Sequence, residues 1–479
     1  MTKSIAIVGM GVSGLAVLLG LSQLSKKQLA GVTIVCFDDK DHFGRGIPFQ
    51  EDVDEALINS PIDTISFDYR DMGDFKAWLI AKGYAVDRPY VSRALYGQYM
   101  QERGQELLDQ LPATVVRKRV DHLTYLSEQH QWQVHIDGEI FGQAFDELHL
   151  ACGDLPTIDP YQLEGNSDYI RDPYPIKKLK DIIWKDSSVS LIGTGLAAVD
   201  VLKWLLNQPV ARVFAFSRSG YFPTVRILDG EPFEWVAMTD DKFESLRLED
   251  YFSIEEFEEL LEKELQALGF QNWENACETY LASGIEGLRL AETYPEELYR
   301  LQALASRVAD WFSDLWPRMT HSDRQEYKEI YEKAIINLRN PMPEESADVL
   351  IGADKSGRLV VLNQVTDVVA NDEEFDIIQK EGEVCKVSYV INATGYHLTK
   401  ANQKKATLLL QQLLDQHLVQ IDDEGGLSVL AETAQIISPR YGTMLNLFAH
   451  GELINGVIYQ NNSTVKIQQM AERAVAVSR

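Results

Sequence analysis

The chain has 479 residues, 45% hydrophobic and 25% charged, and 73 acidic side chains against 45 basic ones leave a formal charge of −28. That size fits two or three globular domains with a sizeable core. The acidity argues against nucleic acid or an anionic membrane as partner, and no uninterrupted apolar run reaches membrane-spanning length.

In chain order, Ile5-Ala-Ile-Val8 is the first predicted strand, short and apolar enough for a buried parallel sheet. It runs into Gly9-Met-Gly-Val-Ser-Gly14. This is the G-x-G-x-x-G fingerprint of a dinucleotide turn. Gly9 allows the tight turn, Gly11 lets backbone approach a pyrophosphate, and Gly14 lets helix and strand pack closely, with Val12 and Ser13 opening the helix. The apolar run from Leu15 is the crossover helix, whose free N–H groups face the phosphates. A secretory leader also begins with a lysine and an apolar stretch. Three glycines break this one, and it leads straight into a strand–helix–strand pattern. The second strand, Val32–Phe37, ends at Asp38, the carboxylate expected on the ribose hydroxyls; Asp39 is its nearest rival.

A glycine-rich loop, Asp41–Phe49, follows, with Gly44 and Gly46 inside it, and then Ile58-Asn59-Ser-Pro61. Phe75–Leu79 reads as helix, and Tyr90–Tyr99 as a loop entering another. Trp132–Ile136 alternates like a strand, and Glu147–Gly153 reads as a buried strand turning at Gly153.

Val189–Ile192 leads into a second fingerprint, Gly193-Thr-Gly195, in which Ala197 or Ala198 replaces the third glycine. The next strand, Val213–Phe216, ends in Ser217-Arg218-Ser219-Gly220. An arginine where a ribose carboxylate would stand suits a 2′-phosphate, and so NADPH over NADH. Asp200, on the second helical turn, suits either a cofactor cleft or water.

From about residue 240 to 345 the pattern is helical. Ser253 and Glu256 have capping-box spacing; Phe257, Leu260, Leu261, Leu265 and Leu268 form one stripe; Leu298 to Leu315 form another, closed by Pro317; Ser322 with Gln325 opens a third helix ending before Pro341. Strands are expected again at Val349–Ile351 and Arg358–Leu362. Tyr389–Gly395 repeats the earlier strand-to-glycine return. Near the end, His450-Gly451-Glu452 precedes a helix with hydroxyl caps at Ser463 and Thr464. Such a helix N-terminus suits the N1–C2 edge of a reduced flavin.

Two fingerprints in one chain, each between an apolar strand and an apolar helix, point to a flavin and a nicotinamide held for hydride transfer. The expected fold is α/β. Two Rossmann-like dinucleotide domains are interrupted by a helical block. The FAD domain takes residues 1–165 and 400–479, the NAD(P) domain 175–235 and 346–398, and an inserted cap 240–345. Cys36, Cys152, Cys277 and Cys385 form no C-x-x-C pair, which argues against the disulfide-reductase type of two-nucleotide chain. Cys36 is assigned to packing; Cys152 suits packing too, with contact to the cofactor as the alternative. No disulfide framework is evident, which suits a reducing cytoplasm, and the nine histidines show no metal-ligand spacing.

Gly9–Gly14, Gly44-Arg-Gly-Ile-Pro-Phe49, Ile58–Pro61, Tyr96-Gly-Gln-Tyr99, Gly193–Asp200 and Ser217–Gly220 occur together and in order. With them the chain resembles the bacterial FAD/NAD(P)-binding family whose N-terminal domain is shared with FAD-dependent urate hydroxylase and aspartate N-monooxygenase. More loosely it resembles class B flavin monooxygenases. The resemblance implies that Gly9, Gly11, Ser13 and Gly14 hold the FAD pyrophosphate and Asp38 its ribose. It puts Gly44, Gly46 and Asn59 near the flavin, makes Gly451 and Glu452 the closing loop, and assigns Gly193, Gly195 and Arg218 to NADPH. Gly153 and Gly395 end the two return strands. The chain departs from the family at Cys152, where Ala-Thr-Gly is usual, and at Glu452, where aspartate is usual. The F-x-G-x-x-x-H signature of Baeyer–Villiger enzymes is not found after Gly153.

The implied activity is an NADPH-dependent FAD monooxygenase that acts on a small molecule with O2 through a C4a-hydroperoxyflavin. An NADPH oxidase or electron-transfer reductase shares every motif, as does a regulator that binds nucleotide without turnover. Arg45, Asn59, Arg93 and Tyr396 are pocket candidates; no catalytic residue is assigned.

Overall fold

The computed structural model describes residues 3–39, 43–372 and 374–477; Asp41 and His42, the start of the predicted glycine-rich loop, lie outside them. The chain divides into two compact units. One comprises Met1–Asp54, Ser60–Pro156 and Tyr396–Arg479, and the other Glu55–Asn59 and Thr157–Gly395.

The first unit is built on a six-stranded sheet in the order Gln435–Ser438, Gly442–Ala449, Glu147–Leu150, Lys3–Val8, Val32–Phe37, Ala113–Val116. The strands are parallel except for the edge pair Gln435–Ser438 and Gly442–Ala449. Lys3–Val8 is central and apolar on both faces. Ala6 and Val8 join a core with Phe37, Leu148, Leu150 and the side chains Trp132, Val134 and Phe145 of an antiparallel meander (Val120–Leu126, Gln131–Ile136, Glu139–Phe145). Ile5 and Ile7, equally buried, alternate to the opposite face. The crossover helix Val12–Ser22 buries residues all round its circumference, and it packs along the C-terminal helix Thr464–Val477.

The second unit repeats this plan. Its five strands are all parallel, in the order Leu359–Val361, Arg212–Phe216, Ser188–Ile192, Tyr389–Asn392, Tyr169–Ile170. In both units the fingerprint strand lies between the strand that follows it and the return strand. In both, a three-stranded meander precedes the return strand, here Val365–Ala370, Phe375–Gln379 and Val384–Val387. The fold is the expected α/β type with two Rossmann-like sheets.

Three sequence expectations are corrected. Val349–Ile351 is not a strand but the middle of the helix Glu344–Lys355, in which Ala347, Leu350 and Ile351 are buried at helical spacing. A three-residue apolar run cannot distinguish the two structures by period. The third helix starts at His321, capped by Thr320 and not Ser322. Thr320 Oγ1 accepts from the Asp323 N–H at 3.2 Å while the Asp323 carboxylate accepts from the Thr320 N–H at 3.0 Å. Ser253 supplies only half of a capping box. Its hydroxyl accepts from the Glu256 N–H, and the Glu256 carboxylate pairs instead with Lys242 at 3.0 Å.

Within the helical block, Glu264 of the helix Ile254–Ala267 is fully buried. Its carboxylate accepts from the N–H groups of Val236, Ala237 and Met238 at 3.1, 2.7 and 2.7 Å. It thereby replaces the ladder that this loop lacks. Glu264→Leu leaves three backbone donors without their acceptor, that of Met238 fully buried, and should cost about 2–4 kcal/mol, with Glu264→Gln costing clearly less. Urea unfolding of the three proteins checks the order.

Candidate functional site

In the first unit, backbone crosses backbone at the fingerprint. A Cβ on Gly14 would lie 2.1 Å from the Gly9 carbonyl oxygen, and one on Gly9 within 2.7 Å of Ala151, so neither position admits a side chain. Gly11 caps the helix Val12–Ser22, whose first N–H groups, including those of Val12 and Ser13, have no acceptor within the helix. Asp38 extends from the end of its strand, and its Oδ2 accepts from the Met10 N–H at 2.6 Å, fixing the carboxylate at the turn. Asp39 instead is exposed, 3.6 Å from Arg119.

Two further loops close on this turn. The Gly44 N–H donates to the Met10 carbonyl at 2.5 Å, and Gly46 backs onto Gly11. Between them, buried Arg45 donates from Nε to Gln101 at 3.0 Å, while its buried NH1 makes no hydrogen bond and lies 3.7 Å from the exposed Glu51 carboxylate. Gly451 has φ of +67°, and a Cβ there would strike the Ser13 hydroxyl. Its carbonyl accepts from buried Asn461 at 2.9 Å. Glu452 is exposed yet densely ringed by protein atoms, which raises its carboxyl above the usual range. The side-chain oxygens of buried Gln460 and Asn461 accept no hydrogen bond. A helix N-terminus, a buried guanidinium and unsatisfied buried acceptors fit a ligand that carries an anionic group and several hydroxyls. Those are the features of FAD. Gly153, by contrast, is exposed with open space around it, and nothing in its backbone demands glycine. Tyr396 packs against the core and Arg93 opens the helix Arg93–Gln110.

Sequence reading missed a buried ionisable chain that ends at this closing loop. Lys3 Nζ lies 2.6 Å from Glu147, Glu147 2.8 Å from His149 Nε2, and His149 Nδ1 2.9 Å from His450 Nε2. Glu147, His149 and His450 are all buried. The only sequence signal was a Glu-x-His pair in an otherwise apolar strand. Burial, with His149 alongside, holds His450 well below the ordinary imidazole value of 6.5. The unfolded chain takes up this proton as the pH falls below about 6.5 and the folded chain resists it, so the stability is present above that pH and is lost below it. Unfolding midpoints should therefore fall between about pH 7 and about pH 5, and His450→Gln should flatten that slope.

In the second unit, Gly193 has φ of +116°, with its would-be Cβ 2.8 Å from the Ala393 oxygen, and Gly195 caps the helix Leu196–Leu206. Buried Thr194 ties the turn to the charge-bearing loop. Its hydroxyl lies 2.7 Å from Ser217 Oγ and 2.5 Å from the Tyr221 carbonyl. Arg218 projects from that loop, exposed. Asn392 of the return strand bonds to the Ile158 and Arg171 carbonyls and accepts from Thr394, next to Gly395 with φ of +88°. Asp200 does not face water; it is buried and accepts from Tyr174 OH at 3.2 Å. Asn59 groups with this second unit. Cys36 is buried, and Cys152, half-buried against the first unit's core, has its thiol pushed up to about 11 by burial; neither is poised as a nucleophile. Among the described residues no helix is long and apolar enough to cross a membrane, and no metal-binding cluster occurs.

The profile of a family described as FAD-NAD(P)-binding matches residues 6–155. No curated protein matches the sequence. Several solved structures share the fold. Ornithine N-hydroxylase of Kutzneria sp. 744 is 13% identical with a TM-score of 0.58, over 99% of this chain and 98% of that one. L-lysine 6-monooxygenase from Pseudomonas syringae is 13% identical with a TM-score of 0.59, over 99% and 98%. Bacillithiol disulfide reductase from Bacillus cereus is 12% identical with a TM-score of 0.52, over 100% and 99%. The family match is confined to residues 6–155, whereas the fold shared with these structures extends over the whole chain.

Ala at Gly14 or Gly451 should weaken FAD binding about tenfold or more, because either turn must open by enough to cost about 1–3 kcal/mol. Flavin fluorescence titration of the apoprotein measures it.

Proposed function

We propose that the chain is an FAD- and NADPH-dependent monooxygenase acting on a small molecule. The observation that carries the reading is the pair of like-built glycine turns with opposite charge beyond them. One has a carboxylate fixed at its turn (Asp38), and the other an exposed arginine among hydroxyls (Arg218). A carboxylate accepts from ribose hydroxyls; an arginine pairs with a 2′-phosphate.

In the first unit the N–H groups of Val12 and Ser13 receive the pyrophosphate, Asp38 orients the ribose, and Arg45 adds a buried positive charge. Gly44, Gly46, Gly451 and Glu452 line the remainder. In the second, Gly193 and Gly195 admit the dinucleotide phosphates and Arg218 selects NADPH. When bound, FAD supplies hydride acceptance and oxygen chemistry. The protein binds, orients and excludes water.

The hydroxylases that share the fold are named for ornithine and lysine, so a primary amine is the first substrate class to test. The disulfide reductase with the same fold offers a second activity, but the cysteines here are free and those near the fingerprint are held as thiols. The purified protein should be yellow, lose its flavin absorbance with anaerobic NADPH and much less with NADH, and consume NADPH faster when a diamine or basic amino acid is added. A protein that takes up no FAD overturns the flavoenzyme reading. NADPH consumption indifferent to every amine points to an oxidase or reductase.

A further inference from the structure

The helical block reaches the charge-bearing loop of the second fingerprint. The Gly284 N–H donates to the Gly220 carbonyl at 2.7 Å, and Tyr221 pairs with Gly284 as an isolated bridge. A Cβ on Gly220 would meet Ser283 and the Asn363 side chain at 3.4 and 3.7 Å. Above the Tyr221 ring, 4.3 Å from its centroid, sits the ammonium of Lys333.

Lys333 reaches that position through an irregularity. The helix that starts at His321 passes through a π turn at Lys328–Glu332, immediately before Lys333. One inserted residue rotates everything after it by about 100° around the helix axis. Tyr331, Ile335 and Leu338 stay buried, while Lys333 is turned outward onto Tyr221. Among the described residues it makes no ion pair. An aromatic ring holds a cation without neutralising it, whereas a carboxylate would cancel it. From Ser217 to Arg226 the loop contains no acidic residue, although the chain as a whole is strongly acidic. Arg218 lies three residues before Tyr221 in this loop, with the hydroxyls of Ser217 and Ser219 on either side of it, 3.2 Å apart.

We propose that Lys333 is the second cation of the 2′-phosphate subsite, so that the helical block takes part in selecting the dinucleotide together with Arg218. The inference rests on the reading that the second unit takes NADPH. A lysine on a rotatable four-carbon stem can leave the ring for a dianion within reach. Such a dianion has the charge for two cations, and Arg218 alone supplies one.

The test is calorimetric titration of the full-length protein with 2′,5′-ADP and with 5′-AMP, for wild type, Arg218→Ala, Lys333→Gln and Lys333→Arg. Wild type should prefer 2′,5′-ADP. Lys333→Gln should lose about 5- to 10-fold in affinity for 2′,5′-ADP and none for 5′-AMP, and Lys333→Arg should keep most of the preference. Unchanged 5′-AMP binding also shows that the variant is folded. If wild type prefers 2′,5′-ADP, Arg218→Ala loses that preference and Lys333→Gln keeps it, this inference falls and the NADPH reading stands. A wild type that binds both probes equally overturns the NADPH reading itself.

Discussion

Each unit depends on a place where one stretch of backbone passes another with no room for a side chain. At Gly14 the gap to the Gly9 carbonyl is too small for a methyl, and at Gly193 the same holds against Ala393. These close approaches set the angle at which the helix leaves the strand. That angle in turn aims the unpaired N–H groups of the helix beyond the sheet. The return strand completes each turn: Ala151 stands against Gly9 and Ala393 against Gly193. A sheet order with the fingerprint strand next to the return strand is therefore a steric requirement of the turn itself.

The two return strands meet this requirement with different chemistry. In the second unit Asn392 satisfies its amide with the carbonyls of Ile158 and Arg171 and a hydroxyl, an uncharged arrangement. In the first, Glu147 and His149 bury ionisable groups that are paired along a chain from Lys3 to His450. Apolar residues of similar volume often serve a core as well as a buried ion pair does, so packing alone does not explain the choice. The chain fixes His450, the residue before Gly451, and so determines where the closing loop meets Ser13.

Much of this was legible in the sequence because glycine has few substitutes where φ is positive and space is absent. The two fingerprint turns and the return at Gly395 follow from that one property, while their strands and Asp38 follow from apolar runs and spacing. The helical stripes followed from period. What was not legible depended on partners distant in sequence. The meander strand Val365–Ala370 buries only Val368 fully, so its alternation is faint. Val349–Ile351 is too short for its period to speak. Thr194, Tyr174 and Lys333 gain their roles only through contacts with Ser217, Asp200 and Tyr221, and no local pattern marks them.

A formal charge of −28 bears on how an anionic dinucleotide binds at all. At physiological ionic strength, charges beyond about 8 Å of solvent are largely screened, so the overall acidity affects the approach of the ligand more than its bound state. In the binding mode proposed above, the bound state is governed by what lies within a few ångströms: helix N-termini, a buried arginine at position 45, and an acid-free loop around Arg218. Keeping carboxylates out of that loop is as necessary as placing an arginine in it, because one nearby acid would neutralise the cation that a phosphate must find. Under that proposal, selectivity in this chain rests on a local reversal of its own net charge.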